Sequence, residues 1–261
     1  TPSVFFTRWV THFCAPAFVF LAGTSAYLWG RRQPNRAALS RRLVLRGLWL
    51  VLLELTVLRV AWTFNFDFSH YLLAGVIWAI GWCMVLLAAL VWLPTPLIGA
   101  VGLLVIAFHN VVDPFLPTLE PLLSTSRSAW LWQLLYFGGP IRLGANGPDL
   151  AVLYVIVPWV GVMAAGYAFG RVLEHDRARR NRACYLVGAA AIGAFLVLRG
   201  FNLYGDPRPW SAQQPLSFIA TNKYPASLLF LLMTLGPVLL AFPIVDEMRG
   251  SDVSVVGFVL P

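Results

Sequence analysis

Three of the four histidines in this chain stand at one end of its apolar stretches, two of them close to acids. A histidine beside a carboxylate is well equipped to move a proton near neutral pH. His70 closes a short loop that also holds Asn65 and Asp67, His109 is followed by Asn110 and Asp113, and His12 lies one turn into the first apolar stretch. Asn202, Asp206, Arg208 and Trp210 follow the sixth stretch, and Asn222 and Lys223 open the seventh. His70, His109, Asp67 and Asp113 are therefore candidate catalytic residues for proton handling. Arg199, Asn202, Asp206 and Lys223 are candidates for lining a substrate pocket. Each histidine taken alone also reads as an interfacial hydrogen-bonding residue. A shared site requires these helix ends to meet in space around one outward-open polar cavity.

Glu54, Arg59 and Arg199 lie inside apolar stretches. A charge there costs on the order of 2.5–3.5 kcal/mol on insertion scales, so it needs a partner or a wet cavity. Glu54 and Arg59 are five apart and do not stack on one helix face. At least one of them should pair across helices, and Arg199 should point into the bundle to meet an acid or carbonyls. Metal chemistry is not indicated: no His-x-x-x-His, Glu-x-x-His or Cys-x-x-Cys spacing occurs. No strand is predicted to precede a phosphate-binding loop, and no Gly-x-Ser-x-Gly motif is present. Cys14, Cys83 and Cys184 fall at different depths, which argues for packing residues and against a disulfide.

The elements that must position these groups are apolar and long. Seven stretches, roughly 9–30, 47–63, 71–93, 96–112, 149–170, 184–203 and 224–243, could each cross a bilayer as a helix. With 59% hydrophobic and 11% charged residues and a mean hydropathy of +0.74, the chain reads as an all-α polytopic membrane bundle, one domain over residues 1–261. Twelve of the nineteen basic residues (Arg31, Arg32, Arg36, Arg41, Arg42, Arg46, Arg171, Arg177, Arg179, Arg180, Arg182 and Arg249) then fall on one face. Short-loop Lys/Arg bias makes that face cytoplasmic and puts residue 1 outside. The net charge of +8 is thereby explained by topology, and no nucleic-acid partner is needed. With residue 1 outside, no initiator Met and Gly257–Pro261 stopping in mid-phrase, the chain reads as an internal piece of a longer protein.

The longest stretch between spans, 113–148, faces outward. Pro114, Pro117 and Pro121 suggest a turn-rich loop, and Trp130–Tyr136 a short interfacial helix ended by Gly138-Gly139-Pro140. Gly166-x-x-x-Gly170 and the small residues of 188–194 predict close helix packing, which also leaves room for a homo-oligomer. Pro158 and Pro237 should kink their helices. The segments Tyr27–Arg31 and Tyr167–Arg171 weakly echo one another. The arginine loops could also hold an anionic cofactor such as the phosphates of coenzyme A, although topology already accounts for them.

Trp9–Pro16 running into Phe18–Ser25 resembles the bacterial relatives of heparan-α-glucosaminide N-acetyltransferase. So do Pro158–Met163, Gly166–Gly170, Arg199–Pro207 and Asn222–Leu229 with Met233–Pro237. The resemblance implies a multi-pass acyltransferase of the bacterial inner membrane. It would move an acetyl group from cytoplasmic acetyl-CoA to a sugar amine or hydroxyl, a small-molecule or glycan acceptor on the outer side. It also implies that a histidine of the first family helix and its following loop, upstream of Thr1, is central to transfer. His12 is not put in its place, and this piece alone is expected to be inactive. The alternative from another class is a transporter or flippase for a glycan or lipid precursor, whose outer polar residues would line a substrate route. A scaffold without a small-molecule site is a third.

Overall fold

The computed structural model describes residues 2–248, with side chains from Val4 to Glu247; Arg249 and Gly257–Pro261 lie outside the described residues. Helices dominate. α1 (Pro2–Val10) passes through a tight turn at Thr11–Phe13 into α2 (Cys14–Gly30), making one apolar helix of 27 residues from Val4. After α2 come α3 (Arg36–Leu53), a π-turn at Glu54–Leu58 and α4 (Arg59–Thr63), which run on as one rod. Then follow β1 (Tyr71–Ala74), α5 (Val76–Leu90), α6 (Thr95–Phe108), α7 (Leu116–Ser124) and α8 (Ala129–Trp132). β2 (Gly139–Arg142), β3 (Asp149–Val152), α9 (Ile156–Phe169), α10 (Arg177–Gly200) and α11 (Leu228–Met248) complete the order.

Among the described residues five helices are long and apolar enough to cross a membrane: Val4–Gly30, Thr95–Ser124, Ile156–Glu174, Arg177–Gly200 and Leu228–Glu247. The two other expected crossings look different. The 47–63 stretch belongs to the α3–α4 rod, whose apolar part carries Glu54 and Arg59. α5 has 15 residues, which at ~1.5 Å each falls short of a ~30 Å core. The expected spans 71–93 and 149–170 both begin as strands. β1 pairs in parallel with β3, and β3 pairs antiparallel with β2, giving the order β1-β3-β2. The expectation of no strands is thus corrected. Hydropathy cannot tell a short apolar strand from the first turn of an apolar helix.

Caps are placed where polar side chains allow them. Asn35 accepts from the Ala38 amide at 2.8 Å to start α3, and Asp176 accepts from Arg179 at 3.0 Å to start α10. Pro158 sits in the first turn of α9, where a missing amide costs nothing, so the predicted kink has no cause there. The expected loop at 114–121 is instead helical: Pro117 opens α7 and Pro121 lies inside it.

α9 is the hub, packed against α2, α5 and α6. Its glycines explain the closeness. A Cβ on Gly166 would overlap the Phe20 carbonyl, and one on Gly23 would overlap that of Met163. Thr24 takes advantage of the approach by donating to the Gly166 carbonyl at 3.0 Å. The two echoing segments meet as well: the Tyr27 and Tyr167 rings stack edge to face at 5.3 Å. Cys83 and Cys184 are buried and Cys14 is exposed, and all three are free thiols.

Candidate functional site

The arginine-poor end of the bundle is tied together by a hydrogen-bonded network around the loop that precedes α11. Asn110 donates to Asp113 at 2.7 Å and accepts from the Leu228 amide at 2.7 Å. Tyr136 donates to the other Asp113 oxygen at 2.5 Å and to the His109 carbonyl at 2.8 Å. Burial and then Asp113 push the Tyr136 phenol well above its ordinary range. Asp206 accepts from the Asn222 amide at 2.7 Å and from the Ser227 hydroxyl at 2.8 Å. Tyr204 donates to the Ala107 carbonyl at 2.8 Å, and Arg208 to Asn222 at 2.6 Å. His109, Asp113 and Asp206 therefore do gather around one loop. They brace it, though, and the cavities at this end are lined by other residues. One, of about 430 Å³, lies between Phe5 and Gln214–Ala220; another, of about 380 Å³, lies between Gly138–Pro140, Ala151–Leu153 and Tyr224.

His109 is buried, with Nδ1 at 3.0 Å from the Ile106 carbonyl and Nε2 at 2.9 Å from that of Ala226. Nε2 thus joins the end of α6 to the loop before α11, while Nδ1 faces carbonyls of its own helix. His70 stands apart from this network, contrary to the expected convergence. It is exposed and pairs locally with Asp67 at 2.9 Å, within a turn where Ser69 also donates to Asp67 at 2.6 Å. The Ser69 hydroxyl and amide hold the Asp67 carboxyl down at about 2. Local sequence proximity alone produces this group, which is why the sequence suggested a site there. Asn202 is likewise local: it donates to the Trp210 carbonyl at 3.1 Å and accepts from its amide at 2.9 Å. Lys223 places its ammonium 5.3 Å from the Tyr224 ring centroid and lies within electrostatic range of His12.

His12 is the histidine with an open valence. Its ring stacks edge to face on Phe230 at 5.6 Å, and its Nδ1 is buried with no hydrogen-bond partner. Trp9 Nε1 and Thr221 Oγ1 share that condition. Phe5, Trp9 and His12 follow one another on one face of the helix, and Thr221 follows Ala220. Trp9, His12 and Thr221 are thus close in sequence to Phe5 and Ala220 of that cavity without lining it themselves. Buried polar atoms without partners are uncommon and cluster where a water or ligand belongs.

The arginine-rich end holds two further cavities. A cavity of about 500 Å³ between α2 and α3 is floored by Ala22, Ala26, Ile80 and Met84 and rimmed by Trp29, Arg42 and Arg46. The Arg42 guanidinium lies over the Trp29 ring at 4.1 Å. Next to it, Arg31 and Arg36 border a smaller cavity of about 250 Å³ with Tyr27 and Tyr167. Glu174 closes its edge, accepting from Arg31 at 2.7 Å and Tyr27 at 2.9 Å. Among the described residues no group of three or more His, Cys, Asp or Glu could hold a metal ion.

Sequence reasoning missed Tyr136, Tyr154, Tyr204, Tyr224 and Ser227. Tyrosine at helix ends is common interfacial anchoring in membrane proteins, so no spacing set these apart.

These features define an integral-membrane helical protein with a basic, partly apolar cavity at one end and a braced polar network at the other. Residues 2–203 match the family model of heparan-α-glucosaminide N-acetyltransferase, catalytic domain, and the chain belongs to that family. No curated protein and no solved structure matches the chain. Family membership points to an acetyltransferase-type function.

Proposed function

We propose that the protein takes part in transmembrane acetyl transfer, from cytoplasmic acetyl-CoA to an amine or hydroxyl of a sugar on the outer side of a bacterial inner membrane. The observation that carries this is the cavity between α2 and α3. Its arginines suit phosphate oxygens, and its apolar floor suits a pantetheine arm and acyl group. Its size falls in the range of small-molecule sites, ~300–1,000 Å³. The donor residues therefore fit coenzyme A, and the positive-inside rule would place this end in the cytoplasm. The net chemistry is acyl transfer: a C–N or C–O bond to the acceptor forms, the thioester C–S bond breaks, and the proton lost by the acceptor balances the one gained by the departing thiolate.

The test is binding of acetyl-CoA to the detergent-purified full-length protein, followed by transfer of labelled acetyl groups to glucosamine. Arg42→Gln and Arg46→Gln together should weaken binding at least tenfold. Absence of any acetyl-CoA binding by the unsubstituted protein would favour the transporter alternative, because a carrier of glycans has no reason to recognise coenzyme A.

A further inference from the structure

α3 carries two neighbouring basic-to-apolar faces, and the cavity between α2 and α3 uses only one of them. Arg42, Arg46, Trp49 and Leu53 recur at helical spacing and line that cavity. One step round the helix, Arg41, Leu45, Leu48 and Leu52 recur at the same spacing and are all exposed. The three leucines stand 58%, 46% and 50% exposed, with nothing in the chain covering them. From Arg41 to Leu52 the strip runs ~16 Å at ~1.5 Å per residue, about half of a ~30 Å hydrocarbon core. It is therefore basic at one end, apolar along the rest, and as long as one leaflet is deep.

At the basic end of the strip lies a third cavity of the arginine-rich end, of about 490 Å³. Arg41, Arg42, Arg46, Gln33 and Trp29 line it. None of the three arginines meets an acid among the described residues, and Arg41 and Arg46 make no hydrogen bond there either. Other arginines at this end are already engaged. Arg31, Arg177, Arg179 and Arg180 pair with carboxylates, and Arg36 donates to the Trp92 and Leu93 carbonyls. Topology calls for arginines on this face, but it does not call for three without counter-charge around one hollow.

We propose that this corner binds an anionic phospholipid. The headgroup phosphate sits in the cavity against Arg41, with Arg42 and Arg46 reaching it from the wall shared with the α2–α3 cavity. An acyl chain lies along Leu45, Leu48 and Leu52. Guanidinium forks match phosphate oxygens in pairs, and basic pockets at the membrane surface are common seats for anionic headgroups. A soluble phosphate ester would use the same arginines, but it has no use for the leucine strip, which is what selects a lipid. The inference is independent of acetyl transfer, because Arg41 and Leu45 line this cavity and not the one between α2 and α3.

The experiment reads lipid retention by the detergent-purified full-length protein in native mass spectrometry, with phosphatidylglycerol and phosphatidylcholine of equal chain length offered together. The unsubstituted protein should retain phosphatidylglycerol at least fivefold over phosphatidylcholine. Arg41→Gln should lose that preference, whereas Arg182→Gln, which removes the same charge from an exposed position on α10, should keep it. Leu48→Asn should lower retention of both lipids. All three side chains are exposed, so melting temperatures in lipid-free detergent should be unchanged. Millimolar glycerol 3-phosphate should leave the lipid in place. Equal retention of the two lipids by the unsubstituted protein would overturn the proposal. So would an equal loss in Arg41→Gln and Arg182→Gln, which would mean diffuse charge attraction, or displacement by glycerol 3-phosphate, which would mean a soluble phosphate ester.

Discussion

Arg59 and Arg199 stand on different helices and do the same work: each buried guanidinium gathers three backbone carbonyls of the segment that follows its own helix. Arg59 donates to the carbonyls of Asn65, Asp67 and Tyr71, and Arg199 to those of Arg208, Ser217 and Phe218. Asp206 adds a distant charge at 3.9 Å from Arg199, and the Phe68 ring covers Arg59 at 4.7 Å. Removing the guanidinium strips several carbonyls at once, at about 1–3 kcal/mol for each left without a donor. Arg59→Ala and Arg199→Ala should each lower the melting temperature of the detergent-purified protein sharply. Lysine, a point donor without the planar fork, should recover only part of the loss. A melting temperature equal to that of the unsubstituted protein in either alanine variant would refute this account.

Helix packing around α9 gives a second prediction with an internal control. Gly166→Ala drives a methyl into the Phe20 carbonyl, backbone that cannot swing away, and should cost roughly 1–3 kcal/mol. Gly193 lies inside α10 with nothing within 4 Å of its added Cβ. Gly193→Ala should therefore stabilise by about 0.5–1 kcal/mol through helix propensity. Thermal melts of the two variants should move in opposite directions, and a shift of the same sign in both would contradict the packing assignment.

Orientation is open to direct labelling. In a cysteine-free background, Ser126→Cys should react with an impermeant thiol reagent in intact cells and Ala178→Cys should not, because short-loop arginines stay in the cytoplasm. The reverse pattern would invert the map and move the α2–α3 cavity to the outside.

The Asp67 turn has a pH signature. With its carboxyl held at about 2 against an ordinary value of 3.8, the folded state favours the carboxylate. That contribution is complete above the unfolded value and disappears as pH falls through about 2. Fluorescence of Trp62, on the helix leading into this loop, should stay level down to pH 4 and change only below about 3. Asp67→Asn should remove that step.

Much of the fold could be read from hydropathy because lipid leaves few options for apolar sequence: backbone groups must be satisfied within helices or closed sheets. The β1-β3-β2 sheet escaped because Tyr71–Ala74 and Asp149–Val152 continue directly into apolar helices, so each apolar run looks like one element. The placement of Arg199 among carbonyls was legible from the cost of a buried charge. The grouping of His70 with His109 was not, because chain position tells which end of the bundle a residue occupies but not which side. The unpartnered nitrogen of His12 depends on surroundings that include Phe230, more than two hundred residues away in the chain.

That nitrogen supports the last prediction, which sets stability against function. A buried polar atom without a partner costs about 1–3 kcal/mol, and natural proteins retain such costs mainly where function needs the group. His12 already stacks on Phe230, so an aromatic side chain without the nitrogen can keep that contact. His12→Phe should therefore melt at the same temperature as the unsubstituted protein or higher. If the unpartnered nitrogen meets the sugar acceptor, the same substitution in the full-length protein should slow acetyl transfer to glucosamine at least tenfold, chiefly through a raised KM for the acceptor. Acetyl-CoA binding at the other end should be untouched. Thr221→Val, which removes the second unpartnered atom at nearly constant volume, should repeat the pattern more weakly. A destabilised His12→Phe with unaltered acceptor KM would show that the histidine serves packing alone.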